Sequence, residues 1–91
     1  MEQKKMVSMR LKPELIESCM YDLHYLGVPA NKTETVETAL LLLLQVLDNA
    51  KYGSDLQKES ALLDLHSVTG SPVIRDRYRK IRDQILDHAR N

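Results

Sequence analysis

The sequence predicts a mainly helical chain. One short N-terminal strand pairs with the same strand of a second copy in a homodimer, two core helices follow, and two further helices complete the C-terminal part. Three observations predict this. Residues 4–12 are basic and alternate apolar with polar side chains; the alternation stops at Pro13; and beyond it come successive capped segments with apolar residues at helical spacing.

Val7, Met9 and Leu11 fall on one face of an extended strand, and Met6, Ser8, Arg10 and Lys12 on the other. A lone strand leaves backbone donors and acceptors unpaired on both edges. The same strand of a second copy can complete it. The product is a two-stranded antiparallel ribbon whose polar, basic face is small enough to enter a DNA major groove.

Pro13 suits a first helical position, and Glu14 and Glu17 suit the positive end of the helix dipole. Leu15, Ile16, Cys19, Met20, Leu23 and Leu26 recur at helical spacing, and Gly27 with Val28-Pro29 marks the stop. The first helix is therefore expected over roughly residues 13–26. Asn31 is a good N-cap, completed by Glu34 three residues on. Val36, Ala39, Leu40, Leu43, Leu44 and Leu47 then form a wide apolar face that Leu41 and Leu42 extend nearly all round. A helix apolar on most sides is buried on most sides, which in so small a chain requires a partner subunit. Its pattern frays at Asp48-Asn49-Ala50 and ends at Tyr52-Gly53.

Ser54, with Gln57 in the box position, opens a third helix running to about His66, with Leu56, Leu62, Leu63 and Leu65 as its apolar side. Val68-Thr69-Gly70-Ser71-Pro72 reads as a turn that caps a last helix over about residues 73–89. Its stripe is Ile74, Tyr78, Ile81 and Ile85. The expected division is a DNA-binding and dimerisation domain over 1–50 and a helical extension over 51–91.

Ninety-one residues with 13 basic and 13 acidic side chains carry no formal net charge, but the distribution is uneven. Lys4, Lys5, Arg10 and Lys12 face only Glu2 within residues 1–12. Residues 13–66 hold three basic and nine acidic groups; residues 67–91 hold six basic and three acidic. A basic arm is where nucleic acid would sit, because neutralised phosphates supply most non-specific DNA affinity.

The single cysteine, Cys19, excludes an intramolecular disulfide and is expected to pack on the first helix in a reducing cytoplasm. The N-terminus has no apolar core of a signal peptide, and the run Ala39–Leu44 is too short to span a bilayer. His24, His66 and His88 lack the paired spacing of a zinc site, no carboxylate pair sits in an apolar setting, and three glycines make no phosphate-binding loop. No enzyme, metal or cofactor is expected.

Val7-Ser8-Met9-Arg10-Leu11, Pro13-Glu14-Leu15, Leu26-Gly27-Val28 and Asn31-Lys32-Thr33 leading to Ala39-Leu40 occur in an order that resembles the ribbon-helix-helix family of bacterial, archaeal and phage DNA-binding proteins. The likeness covers about residues 4–50. It implies an intertwined dimer whose core comprises Val7, Met9, Leu11, Val36, Leu40, Leu43, Leu44 and Leu47. It implies base reading by Met6, Ser8 and Arg10, with Arg10 forking onto a guanine. Phosphates would be held by Lys4, Lys5 and Lys12, and by Asn31, Lys32 and Thr33 at the start of the second helix. Free N–H groups and the helix dipole favour an anion there whatever the family. The chain departs from the family in a longer turn at Val28-Pro29-Ala30 and in residues 51–91.

The expected function is sequence-specific binding of double-stranded DNA by a homodimer, as a cytoplasmic transcriptional repressor, with higher oligomers on DNA or a protein partner engaged through residues 54–91. The alternatives are an antitoxin whose C-terminal region binds a toxin and an accessory protein of plasmid transfer or partition.

Overall fold

The computed structural model describes residues 10–90. Four helices follow one another: α1 (Pro13–Tyr25), α2 (Lys32–Tyr52), α3 (Asp55–Thr69) and α4 (Pro72–Arg90). No strand or sheet occurs among the described residues, so the ribbon-helix-helix fold class expected from the sequence is corrected to an all-helical one. Residues 4–9 of the expected strand lie outside the described residues. The remaining three, Arg10, Leu11 and Lys12, are exposed and belong to neither helix nor strand. A ladder needs facing N–H and C=O groups from a second strand, and the Lys12 carbonyl instead accepts the Leu15 N–H at 3.1 Å. Lys12 is the N-cap of α1, extended at φ −67° and ψ 118°, with Pro13 supplying the pre-set first helical position.

The end of α1 follows from Gly27. Its φ of +86° is open to glycine without a side-chain clash. The left-handed residue lets the Val28 N–H reach the Leu23 carbonyl (2.8 Å) and the Gly27 N–H reach that of His24 (3.0 Å), which closes the helix in a Schellman motif.

Asn31 and Glu34 form the expected reciprocal box at the start of α2. The Glu34 N–H donates to Asn31 Oδ1 at 2.8 Å, and the Asn31 N–H donates to Glu34 Oε1 at 3.2 Å. The apolar pattern frays at Asp48-Asn49-Ala50, but α2 runs unbroken through them to Tyr52, the expected end. Helical hydrogen bonds propagate through polar residues as readily as apolar ones, so loss of the apolar pattern does not end a helix. Gly53 ends it. A Cβ there would lie 2.6 Å from the Asn49 carbonyl oxygen and 2.8 Å from Gln57 Cβ.

Ser54 caps α3 in a second box, with the Gln57 N–H donating to Ser54 Oγ (3.3 Å) and the Ser54 N–H to Gln57 Oε1 (2.9 Å). The helix extends to Thr69, past the expected end at His66, and stops at Gly70 in the left-handed region (φ 63°). Thr69 stays in register by donating its hydroxyl to the Leu65 carbonyl at 2.7 Å. Pro72 then opens α4, with the Ile74 N–H loosely reaching Ser71 Oγ at 3.4 Å.

Two compact units divide the chain at residues 39/40, inside α2. In the first, Thr35 is the buried residue, and its hydroxyl donates to the Asn31 carbonyl at 2.8 Å. In the second, α3 packs on α4. Ala61 and Leu62 are buried, and the expected α4 stripe of Ile74, Tyr78, Ile81 and Ile85 is half-buried. No large side chain among the described residues is fully buried.

The α2–α3 junction can be tested by unfolding in denaturant. Ser54→Ala removes a cap and is expected to cost about 1 kcal/mol. Gly53→Ala drives a methyl into backbone and is expected to cost more, roughly 1–3 kcal/mol, as overpacking does. An equal or smaller loss for Gly53→Ala contradicts the close approach as the reason for glycine.

Candidate functional site

Two features of α2 stand out: its first turn and its leucine surface. Asn31, Lys32 and Thr33 are exposed at the first turn, as expected for an anion contact. The capping box changes what this turn can do. Asn31 spends its side-chain oxygen on the Glu34 N–H, so its role is to hold the helix end rather than reach a phosphate. The backbone N–H groups of Lys32 and Thr33 have no hydrogen-bond partner among the described residues and remain as donors. Glu34 sets a carboxylate beside them, which favours the helix dipole but opposes an incoming anion.

Of the other residues expected to meet DNA, Lys4, Lys5, Met6 and Ser8 lie outside the described residues. Arg10 and Lys12 are exposed ahead of α1. Neither is held in a sheet, so the strand alternation that would fix Arg10 as a base reader does not operate on the described backbone.

Of the expected dimer-core residues, Val7 and Met9 lie outside the described residues, and Leu11 is exposed. Val36 is half-buried. Leu40, Leu41, Leu42 and Leu44 are each more than half exposed, and Leu43 and Leu47 more than a third. Burying one leucine fully is worth about 1.5–3 kcal/mol, so six left about half exposed forgo roughly 5–9 kcal/mol. That is comparable with the entire stability of a small domain, about 5–15 kcal/mol. Leu43 and Val46 of α2 line an apolar groove of about 250 Å³ with Leu65, Val68, Asp64 and Thr69.

Cys19 is exposed, which corrects the expected packing role, and Leu15, Tyr21 and Tyr25 of the same helix and its C-cap Leu26 are exposed with it. Helix α3 also departs from expectation. Leu62 is buried and Leu65 half-buried, but Leu56 and Leu63 point away from them and are open. The signal was present in the numbering, since 56 and 63 share a helical face that 62 and 65 do not.

The basic residues of α4 are exposed, and Arg75 and Arg82 make long ion pairs to their neighbours Asp76 (3.8 Å) and Asp83 (3.9 Å). Pairs so exposed contribute little. The Arg82 guanidinium also lies 5.8 Å from the Tyr78 ring centre. Among the described residues no group of His, Cys, Asp and Glu could hold a metal ion, and no helix is long and apolar enough to cross a membrane. No protein-family model, curated protein or solved structure matches the chain.

The leucine surface generates one expectation. In sedimentation velocity, Leu44→Glu places a charge amid the α2 leucines and lowers the mass of the wild-type assembly, whereas Gln45→Glu leaves it unchanged. Equal masses for wild type and Leu44→Glu, with equal helicity, would remove self-association from this surface.

Proposed function

We propose that this chain binds double-stranded DNA as a homodimer, with its basic N-terminal segment as the DNA contact and the α2 leucines as the dimer contact. The observation that carries the reading is the concentration of Lys4, Lys5, Arg10 and Lys12 ahead of α1 in a chain with no net charge. A surplus of positive charge on a short segment attracts the phosphate backbone without making the whole protein a polycation. A twofold dimer presents two such segments, which suits two half-sites on a duplex.

Within that reading, Arg10 approaches base edges and Lys32, with its own and the Thr33 backbone N–H, approaches a phosphate. Binding over a promoter excludes polymerase, and this makes a repressor. The packing of α3 on α4 within one chain favours the repressor over an antitoxin, whose toxin-binding region would be expected to order on its partner.

Fluorescence anisotropy with DNA from upstream of the gene, against a random duplex over a salt series, tests the reading. Arg10→Ala is expected to cost roughly 1–3 kcal/mol and to lower discrimination between the two duplexes. Lys32→Ala weakens both duplexes alike and lowers the salt slope by about one. Glu34→Gln keeps a side chain able to complete the capping box and removes the opposing charge. It is expected to tighten binding roughly two- to fivefold, the equivalent of about 0.3–1 kcal/mol for one charge at a helix end. Weak binding, equal for both duplexes and unaffected by any of the three changes, would sink the DNA reading.

A further inference from the structure

Helix α4 gathers arginine on one edge. Arg75, Arg79, Arg82 and Arg90 are spaced by four, three and eight residues, and Leu86 stands halfway along the last interval. At about 3.6 residues per turn these positions form one line along the helix, beside the half-buried stripe of Ile74, Tyr78, Ile81 and Ile85. The carboxylates Asp76, Asp83 and Asp87 gather on the next edge, about 80° further round, and Arg77 and Lys80 lie beyond them.

The arginines of this edge are exposed and weakly engaged. Arg75 and Arg82 reach the adjacent Asp76 and Asp83 only at 3.8 and 3.9 Å, and Arg79 makes no ion pair among the described residues. Their stems are nonetheless supported by the helix. The Arg75 and Arg82 side chains are 45% and 46% exposed, and the Arg82 guanidinium lies 5.8 Å from the Tyr78 ring centre. Long side chains that lay their stems on the protein surface present the charged end with less freedom to lose on binding.

We propose that the Arg75, Arg79 and Arg82 edge of α4 is a second DNA contact that grips the phosphate backbone of a duplex without reading its sequence. Charge complementarity carries the choice of ligand. Residues 67–91 hold six basic and three acidic groups, and five of the six are arginine, whose planar fork matches phosphate oxygens. A strand offers one phosphate per about 3.4 Å of duplex axis, so three arginines over about 10 Å of helix meet about three phosphates. An anionic membrane fits the same edge less well. A helix lying in a membrane buries an apolar face, and the α4 apolar stripe is half-buried within the protein, leaving only Leu86 among the arginines. The contact extends the DNA reading above and does not depend on the N-terminal segment.

Fluorescence anisotropy of the full chain with a short random-sequence duplex, over a salt series, tests the proposal. Arg79→Gln/Arg82→Gln is compared with Arg77→Gln/Lys80→Gln, which removes the same charge from another side of α4. Glutamine keeps a helix propensity close to that of arginine and lysine. The first pair is expected to weaken binding at least tenfold and to lower the salt slope by about two, and the second to leave the slope unchanged. Equal losses for the two pairs, or no loss from either, overturn the edge as a site. If Arg79→Gln/Arg82→Gln loses helical signal, Arg79→Gln alone carries the test: a slope lower by about one supports the contact, and an unchanged slope overturns it. Vesicles containing phosphatidylserine supply the competing polyanion. Capture by vesicles that requires Arg79 and Arg82, with duplex binding unaffected by their loss, overturns the proposal in favour of a membrane. Arg10→Ala in the same series separates the two DNA contacts. An Arg79/Arg82 effect that persists when Arg10→Ala has none supports α4 and removes the N-terminal reading, and the reverse pattern removes α4 alone.

Discussion

The described residues leave the α2 leucines largely uncovered. Helix α2 places six of them between Leu40 and Leu47, five in unbroken succession from Leu40 to Leu44, and no helix can turn adjacent residues to the same side. The single described chain buries only Ala61 and Leu62 as apolar core. Local interactions do much of the rest: two capping boxes, a Schellman closure and a left-handed glycine fix where helices begin and end. Such caps contribute about 1 kcal/mol each. They specify helices, and in the proposed dimer the free energy that holds helices together would come from apolar burial between copies.

That requirement links stability to the proposed activity. A dimer presents its basic segments in pairs, and paired segments recognise a duplex far better than one. The same first turn of α2 shows how one feature serves two ends. Glu34 stabilises the helix by bonding the Asn31 N–H, and its charge moderates any anion that approaches Lys32 and Thr33. Strong non-specific attraction to phosphate is a hazard for a protein that must find one site among many, and a carboxylate at this position restrains it.

Much of the helical layout was legible in the sequence because it is set locally. Asn31 with Glu34, Ser54 with Gln57, Gly27, and Ser71 with Pro72 each announce a helix boundary through side-chain chemistry within a few residues. The α4 stripe of Ile74, Tyr78, Ile81 and Ile85 was legible for a similar reason, since one period and one face decide it. The strand was not. Alternation at residues 4–12 describes a face for a sheet, but whether a sheet exists depends on a partner backbone that no local pattern encodes. Among the described residues Lys12 caps a helix instead. Helix α3 was half legible: its leucines were counted as one side when they occupy two, Leu62 and Leu65 inward and Leu56 and Leu63 outward. Gly53 marked the end of α2, but its close approach to the Asn49 carbonyl appears only in three dimensions.

The central claim is that folding of this chain depends on a second copy. Thermal unfolding followed by circular dichroism, repeated over about a hundredfold dilution, tests it most directly, because a protein whose native state includes a partner is stabilised by mass action. The account predicts a midpoint that falls steadily with dilution and a loss of helical signal at the lowest concentrations. A midpoint independent of concentration, with a monomer's sedimenting mass throughout, would contradict it.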